Sequence, residues 1–257
     1  MQLQAFIFDV DGTLADTERD GHRVAFNAAF AEAGLDWQWS VELYGRLLAI
    51  TGGKERIRHF IEKEQPTLPP EEDLTALIAQ LHQAKTRHYT ALLAQGGIPL
   101  RTGVKRLLQE ARGAGIRLAI ATTTTPENVT ALLEHTLPES LSWFEVIAAG
   151  DIVPAKKPAP DIYHYTLAHM GLRPQDCLAF EDSENGLQSA QQAGIPTVVT
   201  VNDYTQDQDF SGAALVLNHL GEPGDPFQVL AGTVGEHTHF TLELARQVHA
   251  QQSSPTR

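Results

Sequence analysis

Short apolar runs that stop on acids, hydroxyls or glycines recur along this chain, and helix-like segments separate them. That alternation constrains the fold more than any other feature. Leu3–Val10 (LQAFIFDV) runs into Asp11 and Gly12, with Asp9 inside its last turn of sequence. Ile116–Ala121 runs into Thr122–Thr125, and Phe144–Ala149 into Gly150–Asp151. Cys177–Phe180 runs into Glu181–Asp182, and Thr197–Val201 into Asn202–Asp203; Ala213–Leu217 is a weaker run of the same kind. Runs of this length and content suit strands buried on both faces. Helical patterns fill the gaps: Val104–Ala111 before the Gly113–Gly115 stop, Pro126–His135, Pro160–Met170 closed by Gly171, and Ser183–Ala193 closed by Gly194. Proline at the start and glycine at the end is the expected helix punctuation. Strands alternating with helices predict parallel pairing through right-handed crossovers, hence an α/β fold with a doubly wound parallel sheet.

Residues 16–95 break the rhythm and read almost entirely as helix. The expected helices are His22–Ala33, Val41–Ala49, Lys54–Glu64 and Glu71–Leu93, with Gln65–Pro70 as a proline-rich link. This predicts a core domain from 1–15 and 96–257, with 16–95 inserted as a helical cap. The tail Gln251–Arg257 is polar and expected to be loose. Gly221–Gly235 and the last helix suggest no role.

Charge narrows the function. With 19 Lys and Arg against 32 Asp and Glu, the net charge is −13, which repels nucleic acid phosphates over most of the surface. A small anionic substrate remains compatible if the site gathers cations. The single cysteine, Cys177, excludes an intramolecular disulfide and fits a reducing compartment. No apolar run approaches the roughly 20 residues of a membrane span. The opening MQLQAFIFDVDG lacks the basic and apolar regions of a signal peptide, so a cytoplasmic location is expected.

In a doubly wound sheet, ligands bind beyond the carboxyl ends of the strands. The residues expected there are Asp9 and Asp11, Thr122, Lys156 and Lys157 on the loop after the third strand, and Glu181 with Asp182. Carboxylates this close repel one another unless a cation sits among them. Oxygen-only ligands select a hard ion such as Mg2+. Such an ion and a lysine together neutralise a phosphate and its transition state. One carboxylate is then free to attack phosphorus, and a second, two residues on, can move the proton of the leaving oxygen. The single motifs are less specific. DVDG alone also reads as a turn. Thr122 also suits a strand-end hydroxyl satisfying backbone groups, and Glu181 a helix-start residue.

Within the helical block, Thr51-Gly52-Gly53-Lys54-Glu55 opens a helix. A helix start favours anions and Lys54 adds a cation, so the segment could hold a second phosphate or simply form a tight interhelical turn. It is not a P-loop, and no G-x-G-x-x-G follows the first strand. His82 and Lys85 share a helix face that points to the cleft or to solvent. Glu18 and His22, four apart, suit sugar hydroxyls or a helix start.

Together DVDGT, Thr122, Lys157 before Pro158, and Glu181-Asp182 resemble the four motifs of the haloacid dehalogenase-like superfamily, over nearly the whole chain. That resemblance implies Asp9 as nucleophile and Asp11 as acid/base, with the Asp11 backbone carbonyl on magnesium. It implies Thr122 and, of the two lysines, Lys157 as phosphoryl holders, which leaves Lys156 as a solvated surface charge, and it implies Asp182 with Glu181 at the metal. The words DTERDGHRVAFNAAFAEAGLDWQWS, TGGKERI, LHQAKTRHYTAL, AIATTTTPENV and AAGDIVPAKKPAPDIY look like the CbbY group of that superfamily, which resembles β-phosphoglucomutase in fold. The implied activity is dephosphorylation of xylulose-1,5-bisphosphate, an inhibitor of the carbon-fixing enzyme Rubisco. Thr51, Gly52, Gly53, Lys54, Glu55, His82 and Lys85 map onto that group's substrate-binding words, and Thr123 and Asn128 are candidates by the same mapping. Caps of this kind act within one chain, so a monomer is expected. A phosphosugar mutase, a phosphatase of another sugar monophosphate and a non-catalytic binding protein remain as alternatives.

Overall fold

The computed structural model describes residues 2–68 and 73–252. In chain order it contains β1 (Ala5–Phe8), a π-helical turn (Glu18–His22), α1 (Arg23–Glu32), α2 (Val41–Leu47), α3 (Gly53–Glu64) and α4 (Leu74–Leu93). Then follow α5 (Val104–Gly113), β2 (Arg117–Ala121), α6 (Pro126–Thr136), β3 (Phe144–Ala148), α7 (Asp161–Met170) and β4 (Cys177–Glu181). The chain closes with α8 (Glu184–Gln192), β5 (Thr197–Thr200), β6 (Leu215–Leu217), β7 (Val229–Ala231) and α9 (Leu242–Gln252). The expected Glu71 helix start and the tail beyond residue 252 lie outside the described residues.

The seven strands form one sheet in the order β3-β2-β1-β4-β5-β6-β7. β1 is central, flanked in parallel by β2 and β4. Its residues alternate between two cores. Phe6 and Phe8 pack with Leu107, Leu108 and Leu132 on one face, whereas Ala5 and Ile7 pack with Ile162, Leu167 and Ala190 on the other. A strand covered on both faces explains why its sequence is an unbroken apolar run. Phe180 stacks on Phe8 at 4.5 Å, locking β4 to β1.

The sheet departs from the all-parallel expectation at one edge. β7 runs antiparallel to β6. The connection between them is short and contains no helix, and such a link returns a strand antiparallel rather than carrying it across the sheet.

Helices α1–α4 gather around an apolar cluster of their own, including Phe26, Phe30, Trp37, Trp39, Tyr44 and Phe60. Local signals set the helix ends. Ser40 caps α2 by accepting from the Leu43 amide at 3.1 Å, and Asp73 caps α4 through the Thr75 amide at 2.9 Å. The expected helix start at His22 is replaced by a wider π-turn, in which the Arg23 amide donates to the Glu18 carbonyl. The outgoing and returning linkers of the block lie side by side: Ala15 bridges Leu100, and the Arg101 amide donates to the Leu14 carbonyl at 2.8 Å. Among the described residues no helix is long and apolar enough to cross a membrane.

Candidate active site

Strand register builds the site. Phe8 is level with Ile120 on β2 and Phe180 on β4, so the next residues of all three strands leave the sheet at one edge. The Asp9 amide still donates to the Phe180 carbonyl at 3.0 Å, and the Thr122 amide to Ala148 at 2.9 Å. Asp9, Thr122, Glu181 and Asp182 are all buried there. After Asp11 the chain turns at Gly12, whose φ is +82°; a Cβ at that position would lie 2.1 Å from Asp182 Oδ2. Glycine is needed both for the dihedral and for the approach.

Asp9, Glu181 and Asp182 each present an oxygen within 4.8 Å of the others. Lys157 enters from the loop after β3. Its Nζ donates to Asp9 Oδ1 at 2.7 Å and Glu181 Oε1 at 2.6 Å. Tyr163 donates to the same Glu181 oxygen at 2.5 Å. Glu181 Oε2 is buried with no partner. Asp182 Oδ2 accepts from Asn202 Nδ2 at 2.8 Å. The Lys157 ammonium thus bonds two of the three clustered carboxylates, and Asp182 is left to the Asn202 amide.

The electrostatics reflect that imbalance. Burial raises the Asp9 carboxyl from 3.8 to about 7 against the pull of Lys157, with Glu181 adding to the rise. Burial, then Asp9 and Glu181, hold Asp182 well above the ordinary range. Lys157 is raised despite its own burial, because Asp9 and Glu181 face it. A buried, oxygen-only set with excess negative charge and an unpartnered oxygen fits a hard divalent cation.

Asp11 lies outside this trio. Its Oδ1 accepts from Thr17 at 2.6 Å and from His22 Nε2 at 2.7 Å. Lys85 donates to His22 Nδ1 at 2.8 Å. An ammonium only donates, so Nδ1 accepts and Nε2 carries the proton towards Asp11. Burial alone would raise the Asp11 carboxyl, but His22, Thr17 and Lys85 hold it well below the carboxylate range. Burial in turn lowers Lys85 from 10.5 to about 8.

Two cavities meet at this edge. One of about 230 Å3 is lined by Asp9, Asp11, Glu18, Thr51, Thr122, Thr123, Lys157, Glu181 and Asp182. A smaller recess of about 40 Å3 is lined by Asp11, Glu18, His22, Gly52, Gly53, His82, Lys85, Thr123 and Asn128. Gly52 reaches the recess with φ +95°. Thr51 Oγ1 donates to the Lys157 carbonyl, joining the segment before α3 to the loop that carries Lys157. Burial, then Lys85 and Lys54, lower His82 from 6.5 to about 4.

Lys54 and Glu55 line neither cavity. Lys54 pairs with Asp151 on the loop after β3, and the Glu55 carboxylate folds back against Gly52. Lys156 is not a solvated charge: its side chain is 13% exposed and donates to the Gly150 carbonyl and to Asp151 Oδ1 at 2.6 Å. Sequence reading passed over Arg56, which lines both cavities. Its guanidinium donates to Tyr44 Oη at 3.1 Å, and Tyr44 donates to Glu18 at 2.5 Å. Its signal was the first turn of α3, where its helical neighbours are the glycines. Asn202 and Tyr163, which hold Asp182 and Glu181, were also missed.

The profile of haloacid dehalogenase-like hydrolases matches residues 3–194. The chain belongs to that family. Among haloacid dehalogenase-like relatives, protein CbbY (plasmid) of Cupriavidus necator is 51% identical over 227 residues, covering 87% of this chain and 88% of that one. CbbY of Rhodobacter capsulatus is 52% identical, covering 83% of this chain and 92% of its own. A crystal structure of a CbbY mutant from Rhodobacter sphaeroides, in complex with xylulose-(1,5)bisphosphate, superposes with a TM-score of 0.81 at 45% identity, covering 87% of this chain and 97% of that one. A β-phosphoglucomutase from Clostridium difficile shares the fold, with a TM-score of 0.71 at 19% identity. Family membership and these relatives make the chain a phosphatase-type hydrolase.

The acid trio sets an expectation that needs no substrate. A carboxyl whose folded-state value is raised contributes stability that is full below its ordinary 3.8 and lost as pH rises through about 7. A cation reverses that loss, and its ligands must be deprotonated to bind it. Mg2+ should therefore raise the melting temperature more at about pH 8 than at about pH 5. Equal shifts in a thermal-melt series at the two pH values would contradict the placement of the ion among Asp9, Glu181 and Asp182.

Proposed function

We propose that the chain is a Mg2+-dependent phosphatase of a small sugar bisphosphate, converting xylulose-1,5-bisphosphate to xylulose 5-phosphate and so removing an inhibitor of Rubisco. The observation that carries this reading is the pairing of two adjoining cavities. One holds the Asp9–Lys157 pair and the acid trio. The other gathers Arg56, His82 and Lys85 with the Gly52-Gly53 helix start. One phosphate suits each. The CbbY mutant solved with xylulose-(1,5)bisphosphate supports the choice of sugar.

Asp9 attacks phosphorus, the bond from phosphorus to the sugar oxygen breaks, and Asp11 passes to that oxygen a proton received from Lys85 through His22. Asp11 then takes a proton from the water that cleaves the aspartyl phosphate. The Lys85–His22–Asp11 chain connects the acid/base to a lysine whose own proton is loosened by burial. Lys157 and Thr122 hold the phosphoryl oxygens. Asp9, Asp182, Glu181 and the Asp11 carbonyl would hold Mg2+, which supplies charge neutralisation at the phosphoryl group. Glu18, Tyr44 and Arg56 form a connected polar wall for sugar hydroxyls and the second phosphate. Residues 16–95 act as the cap that closes over the substrate, within one cytoplasmic chain.

A screen of mono- and bisphosphorylated sugars with Mg2+ tests the reading. Phosphate release from xylulose-1,5-bisphosphate should exceed that from monophosphates by about 100-fold or more, the value of a fully used second anchor. Equal rates would remove the bisphosphate assignment. Interconversion of hexose phosphates with little free phosphate would identify a mutase instead.

A further inference from the structure

Arg101 stands on the returning linker, just before α5, and its side chain is 7% exposed. Its Nη1 donates to the carbonyls of Gly12 and, at 2.9 Å, Thr200. Nη2 donates to the carbonyls of Val201 at 2.5 Å and Asn218 at 2.8 Å. Nε lies 3.2 Å from Asp16 Oδ1. A guanidinium has five N–H donors in a fixed plane; here the Nη groups reach four backbone carbonyls, and Nε lies within ion-pair range of Asp16.

These acceptors belong to separate parts of the chain. Gly12 follows Asp11 in the catalytic loop. Asp16 begins the outgoing linker. Thr200 ends β5 and Val201 follows it, directly before Asn202, which donates to Asp182. Asn218 follows β6. One side chain therefore fastens the Asp9–Asp11 loop to the segment that orients Asp182, and holds both linkers of the helical block against the sheet.

Arg106 provides the comparison. It is also multiply bonded, to Glu222, Glu110 and the carbonyls of Phe240 and Gly221. None of these partners lines the two cavities at the Asp9 edge.

We propose that Arg101 is a positioning residue for phosphoryl transfer: it sets the spacing between the Asp9–Asp11 loop and Asp182 and pins the linkers on which the helical block turns. The proposal rests on the phosphatase reading for its turnover arm, whereas its metal arm needs no substrate.

The experiment compares Arg101→Ala, Arg101→Lys and Arg106→Ala by turnover, Mg2+ affinity from calorimetry, and melting temperature. Arg101→Ala should lose about 100-fold in kcat, as expected when reacting groups are displaced by about an ångström. It should also bind Mg2+ about tenfold more weakly. Guanidinium ion below denaturing concentration should restore part of both. Arg101→Lys keeps the charge and most of the packing but not the planar fork, so it should share the loss. Arg106→Ala should lower the melting temperature and keep kcat and Mg2+ affinity within about twofold, the range of a distant, independent site. If Arg101→Lys, or a folded Arg101→Ala, keeps kcat and Mg2+ affinity as Arg106→Ala does, the proposal is overturned. If the native protein hydrolyses no phosphosugar, the phosphatase reading fails, and the Mg2+ affinities alone still decide the role of Arg101.

Discussion

Asp9→Asn is expected to lower phosphate release by at least about 10,000-fold, because it removes the group proposed to attack phosphorus rather than a supporting one. The substitution is nearly isosteric. Asn can still offer its carbonyl oxygen to Lys157 Nζ where Asp9 Oδ1 now accepts at 2.7 Å. The fold should therefore survive. Stability without metal should be unchanged or higher at neutral pH, since the carboxyl is raised to about 7 by burial and by Glu181, a sign that its charge is disfavoured there. The shift in melting temperature produced by Mg2+ should shrink, because one of three clustered carboxylates is gone. This combination separates chemistry from folding. Full activity in Asp9→Asn would remove the mechanism, and an unfolded variant would contradict the view that Asp9 is tolerated by the fold rather than required by it.

The core was legible because buried parallel strands leave a plain signature. β1, β2, β3 and β5 lie within the apolar runs and β4 overruns its own by one residue, Glu181; the residues that end those runs meet at one edge because the register is level. β7 left no such trace: Val229–Ala231 is short and exposed, so it has no apolar run to read. The π-turn was invisible for a different reason. Glu18 and His22 are four apart in either kind of helix, and only the backbone shows that the turn is widened. Charged side chains were the least legible. Lys54 and Arg56 are neighbours at the start of α3, yet one pairs outward with Asp151 and the other turns inward to Tyr44. Which way each points depends on partners distant in sequence, and spacing carries no information about those. Arg101 is the extreme case, since its acceptors are mostly backbone carbonyls that any sequence would supply.

Lys157→Met should be the most damaging single change to both stability and turnover together. Lys157 is buried and bonds Asp9 and Glu181 at once. Removing one member of a buried ion network typically costs about 3–5 kcal/mol, since the remaining charges are left without compensation. Here Tyr163 still donates to Glu181 Oε1, and Asn202 to Asp182, but neither is a cation. The sign of the pH dependence follows. Without the ammonium, the Asp9 carboxyl rises further and Asp182 stays raised, so the folded protein holds more protons than the unfolded chain across the acid-to-neutral range. The variant should thus lose least near pH 5, roughly, and most towards about pH 8, with Mg2+ recovering part of the loss. Turnover should fall by about 100- to 1,000-fold even when the metal is saturating, because a preorganised cation is missing where the phosphoryl charge develops. Lys157→Arg should not rescue it: the planar guanidinium is larger than the ammonium and cannot place one compact charge between Asp9 and Glu181 as Nζ does. A Lys157→Met protein that melts like the native one at neutral pH without Mg2+ would mean that the three carboxylates are already neutral or dispersed. The charge imbalance from which the metal, the nucleophile and the phosphate site are all inferred would then not exist.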